Sequence, residues 1–436
     1  MIRHAFAALM LLATPAVAEV EIQTLTTPGG VDLWLVEEHS LPFVALEIRA
    51  RGGAALDPEG LRGAANLMTG LIEEGSGDMD AAAFQTAREG LAADFSFRVY
   101  DDALAISARM LSSNRDEAVA LLHQALTEPR FDDDAVERVR AQVLAGLSAA
   151  ERRPGTLASH RFFAAAFPGH PYGSDSDGTV ESVSALTRAD LQQSFADILT
   201  REGLYVGAVG DLTAEEATAL VDELLDGIPA EGPTAEGHVD FAAPGGVDIV
   251  DFATPQSIAI FGHQGIGWED PDYFAAAVLN QIIGGDGFDT RLMQELREKR
   301  GLTYGASTSL YVFDNAEAIV GSFASANGTM AEAVEVVRDV WADFAENGVT
   351  AEELEAAKTY MTGEYPLRFD GNAEIAKIMV GMQMIDLPPD YVVHRNSYIE
   401  AVTLEDVNRV AARILKPDEL YFAIAGQPEG LDDTVE

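Results

Sequence analysis

The chain contains no cysteine in 436 residues. Disulfide bridges and thiolate metal ligands are therefore excluded. A chain of this length can bury large cores without cross-links, and 47% of its residues are hydrophobic. Absence of cysteine is compatible with an oxidising compartment. Basic residues are scarce: 28 Lys and Arg stand against 72 Asp and Glu, a formal net charge of -44. Such a surface repels nucleic acid and anionic lipid, so neither is expected as a partner. The charge reads as a solubility adaptation, with attraction for basic peptides as the sharper alternative. Long apolar runs are missing too. The one pronounced run, residues 5–13, is too short to span a bilayer. Arg3 and His4 precede it and Ala16-Val17-Ala18 follows it. That is the layout of a secretory signal over residues 1–18, and it implies a periplasmic protein without a membrane span. Losing Arg3 with the leader takes the charge from -44 to -45 (-44 - 1).

What is present first is a repeat. Asp190-Leu191, Ile198-Leu199, Leu204-Tyr205 and Val209-Gly210 match Asp406-Val407, Ile414-Leu415, Leu420-Tyr421 and Ala425-Gly426 at an offset of 216. Each copy reads as an amphipathic helix, a polar turn and an apolar strand ending in Gly. Glu117-Ala118-Val119 pairs with Glu332-Ala333-Val334 at an offset of 215, and Phe131 and Glu137 with Val349 and Glu355 at 218. This period is far too long for a solenoid. It predicts two duplicated domains, residues 19–228 and 241–436, joined by a Pro- and Gly-rich linker over 229–240. Residues 31–36 and 44–49 alternate like paired strands, and 93–99 and 103–110 like a hairpin around Asp101-Asp102. Residues 61–72, 79–89, 114–126 and 133–150 read as helices. The expected class is α+β, each domain a mixed, mainly antiparallel sheet with helices packed on one face.

Common catalytic signatures are missing. The eight His are 4, 39, 123, 160, 170, 238, 263 and 394, and no pair has the four-residue spacing of a zinc-binding helix. His160 and His170 could meet only through a loop, and His263 in an apolar strand reads as buried and neutral. There is no G-x-S-x-G elbow. The run Gly284-Gly285-Asp286-Gly287 lacks the Lys-Ser/Thr of a phosphate loop and reads as a turn between helices. After Gly287 come Phe288-Asp289-Thr290-Arg291-Leu292, then Leu296-Arg297-Glu298-Lys299-Arg300-Gly301-Leu302-Thr303-Tyr304. By themselves Arg297 reads as a solvated helix residue and Tyr304 as a strand aromatic.

Taken together these segments resemble the insulinase-like (pitrilysin, mitochondrial-processing-peptidase, M16) family of zinc peptidases. The resemblance runs through Arg51-Gly52-Gly53, Asp57-Pro58, Gly60, a helix from Gly63, and the LREK-x-GL-x-Y segment at 296–304. It covers nearly the whole chain beyond the leader. Active relatives carry H-x-x-E-H in that helix, two His for zinc and a Glu as base. Here Asn66 stands at the first His, Thr69 at the Glu and Gly70 at the second His. The family's third ligand is a Glu seven residues after another Glu; here Glu137 is the earlier one and Leu144 stands at the ligand position. The resemblance therefore implies no metal in this chain, with zinc expected in a homologous H-x-x-E-H-bearing partner subunit. It further implies that Arg297 and Tyr304 reach into the partner's site to hold a substrate carbonyl and its oxyanion, which suits a rigid fork of donors beside a phenol. The expected function is the non-catalytic subunit of a heterodimeric zinc metallopeptidase acting on extended peptides. The strand at 256–262 reads either as a backbone edge that such a peptide could pair with or as an ordinary sheet strand, and the sequence does not choose between them. The alternative is a zinc-less scaffold or peptide-binding protein without a proteolytic role.

Overall fold

The computed structural model describes residues 21–435, so the expected leader over 1–18 lies outside the described residues. The N-terminal sheet contains six strands: β1 (Gln23–Thr26), β2 (Asp32–Glu37), β3 (Phe43–Arg51), β6 (Asp94–Val99), β7 (Ala103–Leu111) and β8 (Leu204–Gly210). Two short strands, β4 (Gly75–Ser76) and β5 (Met79–Asp80), form a separate hairpin. The sheet order is β1-β2-β8-β3-β7-β6. β6 and β7 form the expected hairpin, Phe95 opposite Ala108. β2 and β3 do not pair directly, contrary to the sequence reading. β8 lies between them, parallel to β2 with Leu33 opposite Val206 and antiparallel to β3 with Val44 opposite Gly210. The loop between β2 and β3 is long enough to step over one strand, a sideways distance of roughly 10 Å.

The C-terminal sheet comprises β9 (Gly246–Asp251), β10 (Gln256–Gln264), β11 (Ala306–Val312), β12 (Glu317–Ala326) and β13 (Tyr421–Gly426). Its order is β11-β12-β10-β13-β9, with only β13 and β9 parallel. Position by position this repeats β6-β7-β3-β8-β2; β1 is the addition. The repeat extends to the helix caps. Thr187 and Thr403, 216 residues apart, each open a helix with a capping box closed by Asp190 and Asp406. Because β10 is interior, paired on both sides with β12 and β13, its backbone has no free edge for a peptide. The expectation for 256–262 is corrected accordingly.

Each half buries one sheet face under its own helices. In the N-terminal half these include Ala64–Thr69, Arg115–Thr127 and Ala214–Leu224; in the C-terminal half, Tyr273–Gly284, Met330–Asn347 and Leu404–Ile414. The opposite face is covered by exchange. Helix Pro154–Ala166 leaves the N-terminal half and lies on β10 and β13. Its Phe162 is fully buried, 5.8 Å from the Tyr421 ring, and sits where Gly262 leaves room. Helix Asn372–Met384 of the C-terminal half lies on β3 and β8. Its Ala376, Met379 and Met382 pack with Trp34 and Val209, and Gln383 Nε2 donates to the Val206 carbonyl at 3.0 Å. This explains why β3 is buried from Val44 to Ile48 without alternation. A strand covered on both faces has no solvent side to keep polar.

Candidate functional site

The candidate site is built on the turn and helix that follow Tyr273–Gly284. Gly287 takes φ +107°, a backbone region side chains rarely adopt, and turns the chain so that Phe288 stands out at 67% exposure. The next helix is wound as a π-helix over Met293–Glu298, a geometry frequent at functional sites. It buries Met293 and Leu296 and leaves Arg297 exposed. Gly301, at φ +66°, ends it, and the Leu302 N–H donates back to the Leu296 carbonyl at 2.7 Å. Leu302 and Thr303 are buried, so Tyr304 is thrown outward at 86% exposure, just before β11.

Two charged neighbours of Arg297 in the chain are already paired. Glu295 is held by Lys299 and Arg300, and Arg291 by Asp343 and Glu353. Arg297 has no ion-pair partner among the described residues; its guanidinium lies 5.1 Å from the Phe288 ring centre. Phe288 and Tyr304 in turn line one cleft of about 440 Å³, floored by Ala306, Ser307 and Ser322. Of the two residues singled out from the sequence, Arg297 lies over Phe288, and Tyr304 shares with Phe288 a cleft that Arg297 does not line. Phe288 lay within the quoted segment but carried no role there. An aromatic next to a Gly-rich turn was the available signal.

The other sequence-derived positions lie in the N-terminal half. Helix Ala64–Thr69 is six residues long, shorter than the expected 61–72. Asp57 clamps its start, accepting from the Gly63 and Ala65 N–H groups, both at 2.9 Å. Burial pushes the Asp57 carboxyl up to about 6 despite these donors. Asn66 is half-buried, and the Thr69 hydroxyl donates to the Ala65 carbonyl at 2.7 Å. Gly70 faces helix Asp133–Ala150 so closely that a Cβ there would stand 2.9 Å from Val139. On the same helix Glu137 bonds Arg140 at 3.2 Å, and Leu144 packs on the hydrophobic core. These side chains do not fit a zinc ion: at the three ligand positions Gly70 has no side chain, Leu144 is apolar and Asn66 offers only a neutral amide, and Thr69 at the base position is committed to its own helix. Nor do the His converge. His160 pairs with Asp175 at 2.7 Å, His170 accepts from the Tyr172 N–H, and His263 accepts from the Trp341 indole at 2.9 Å. Among the described residues no group of three His, Asp or Glu is placed to hold a metal.

Comparison with known proteins agrees with this geometry. Residues 34–179 match the insulinase (peptidase family M16) model and residues 185–361 the peptidase M16 inactive domain model. The chain belongs to the peptidase M16 family. It is 26% identical over 393 residues to a non-peptidase homologue, YmxG, of Helicobacter pylori, covering 89% of this chain and 90% of that one. An uncharacterized zinc protease of Mycobacterium leprae is 28% identical over 400 residues, covering 89% and 88%. Among solved structures, a peptidase M16 inactive domain from Pseudomonas fluorescens superposes with a TM-score of 0.88 at 29% identity, covering 95% of this chain and all of that one. This M16 member lacks the family's zinc motif and keeps its fold.

Proposed function

We propose that this chain is the non-catalytic subunit of a heterodimeric M16 zinc metallopeptidase. It would supply Arg297 and Tyr304 to the site of an H-x-x-E-H-bearing partner subunit, where zinc and the general base reside. The observation that carries the reading is the state of the pair. In a chain with 72 acidic residues, Arg297 has no ion-pair partner among the described residues, and Tyr304 is 86% exposed. Groups held this way have nothing to do within their own subunit. Facing a scissile carbonyl, they can donate to the oxygen as charge develops on it. Extended peptides are the proposed substrates and the periplasm the proposed compartment. The second reading, a zinc-less scaffold or peptide-binding protein, is favoured by the resemblance to a non-peptidase homologue.

Steady-state kinetics on the reconstituted pair test the choice. Arg297→Ala and Tyr304→Phe should each cut turnover by about a hundredfold, the usual cost of one lost oxyanion donor, while assembly is unchanged. Wild-type turnover in both variants would leave the scaffold reading standing.

A further inference from the structure

We infer that Phe288 is the positioning residue of Arg297, a ring that orients the guanidinium without using any of its donors. The inference rests on the role proposed above for Arg297 and names what prepares it. An Arg on an exposed helix is ordinarily fixed by carboxylates. A bidentate carboxylate occupies two of the five N–H donors. Around Arg297 no carboxylate stands at helical spacing: Gln294 and Met293 precede it and Arg300 and Gly301 follow it by three and four residues, and Glu295 is taken by Lys299 and Arg300. The Arg297 guanidinium lies over the Phe288 ring, 5.1 Å from its centre, a contact that uses the charge of the cation and no carboxylate.

Nothing in the fold itself calls for an aromatic at 288. The side chain is 67% exposed and belongs to neither large core. Its place is set by Gly287, whose φ of +107° other residues rarely adopt, and only the Tyr360 ring edge comes within 4 Å of a side chain added there. Phe288 also lines the cleft that Tyr304 lines.

Two variants separate ring from bulk: Phe288→Leu removes the ring and Phe288→Tyr keeps it. In the complex with the zinc-bearing partner, Phe288→Leu should lower kcat roughly two- to fivefold, the range of an exposed cation–π contact. KM should hold, because an oriented donor acts on the transition state. Phe288→Tyr should remain near wild type, and Phe288→Leu should have no further effect in an Arg297→Ala background. The free chain gives an independent readout: the Arg297 side-chain resonances should carry a ring-current shift that Phe288→Leu abolishes. If Phe288→Leu matches wild type while Arg297→Ala is impaired, the positioning role is refuted and the proposed function stands. If Arg297→Ala is silent while the ring-current shift is present, the contact exists but the proposed function fails, and the positioning role falls with it. An Arg297 spectrum unchanged by Phe288→Leu refutes the contact directly.

Discussion

Replacing Phe162 with Ala should destabilise a sheet to which Phe162 does not belong in sequence. Phe162 sits on the exchanged helix Pro154–Ala166 and is fully buried against the C-terminal sheet, near Tyr421, Phe163 and Phe241 at 5.3–5.8 Å between ring centres. Gly262 leaves little slack: a Cβ there would come within 3.0 Å of the Phe162 ring. Truncating a buried Phe removes its transfer energy and leaves a void, typically about 3–5 kcal/mol. Tyr421 is held in β13 and Phe163 in the helix itself, and Phe241, outside any element, is tied to β10 by its N–H to Gln264, so little collapse into the void is expected and the loss should fall in that range. Denaturant titration followed by Trp341 fluorescence reads the C-terminal core, where that Trp is fully buried. The Trp341 transition should move to lower denaturant by the full amount, although residue 162 lies in the N-terminal half. An unmoved Trp341 transition, or a loss below 1 kcal/mol, would refute the claim that the exchanged helices bind the halves into one unit.

Other outcomes follow from particular residues. Metal analysis of the purified chain should find no stoichiometric zinc, because Asn66, Thr69, Gly70 and Leu144 supply no ligand set; one tightly held zinc per chain would overturn that. Mass spectrometry of native protein should place the mature N-terminus near Glu19, and a chain retaining Arg3 would end the export proposal. His263 should make the fold sensitive to acid. Burial holds its imidazole down at about 4, from an ordinary value of 6.5. Between these values the unfolded chain takes up a proton that the folded one refuses, so this contribution is present above the upper value and is lost as pH falls towards the lower. Over the full window the difference is roughly 3 kcal/mol. Stability of His263→Gln should therefore vary less steeply with pH there, and parallel curves would show that His263 does not titrate as described.

Much of the architecture was legible because duplication writes the same pattern twice. The match of Leu204-Tyr205 with Leu420-Tyr421 became two equivalent central strands, and the capped helices before them repeat down to Thr187 and Thr403. What failed involved partners distant in sequence. Residues 32–37 and 43–51 looked like neighbours, but β8, arriving from residue 204, was inserted between them. Residues 44–49 read as alternating, yet Val44 to Ile48 are buried without a break because β3 is covered on both faces. Nothing local in the sequence says that the second cover comes from residues 372–384. The lost motif at 66–70 could be read from residue identity alone, because a missing ligand needs no geometry. The stacking of Phe288 on Arg297 is the opposite case: it depends on Gly287 turning the chain, and only coordinates show which way.

The exposure of the Arg297 site is itself an argument about assembly. A surface of net charge -44 has no solubility need for Phe288 and Tyr304 at 67% and 86% exposure. In the proposed complex, a partner closing over them would bury two rings and expel water from the cleft they line. Removing water strengthens every remaining charge interaction, since the same separation counts for more at lower effective dielectric. Arg297 would then act where it is strongest, and only in the assembled enzyme. The chain alone would be silent for two separate reasons: it lacks the zinc ligands, and its donors stand in water. Arg297→Lys isolates the geometric part of this argument. It keeps the charge and loses the planar fork, so an effect resting on charge alone would survive it, whereas one resting on directed donors would not.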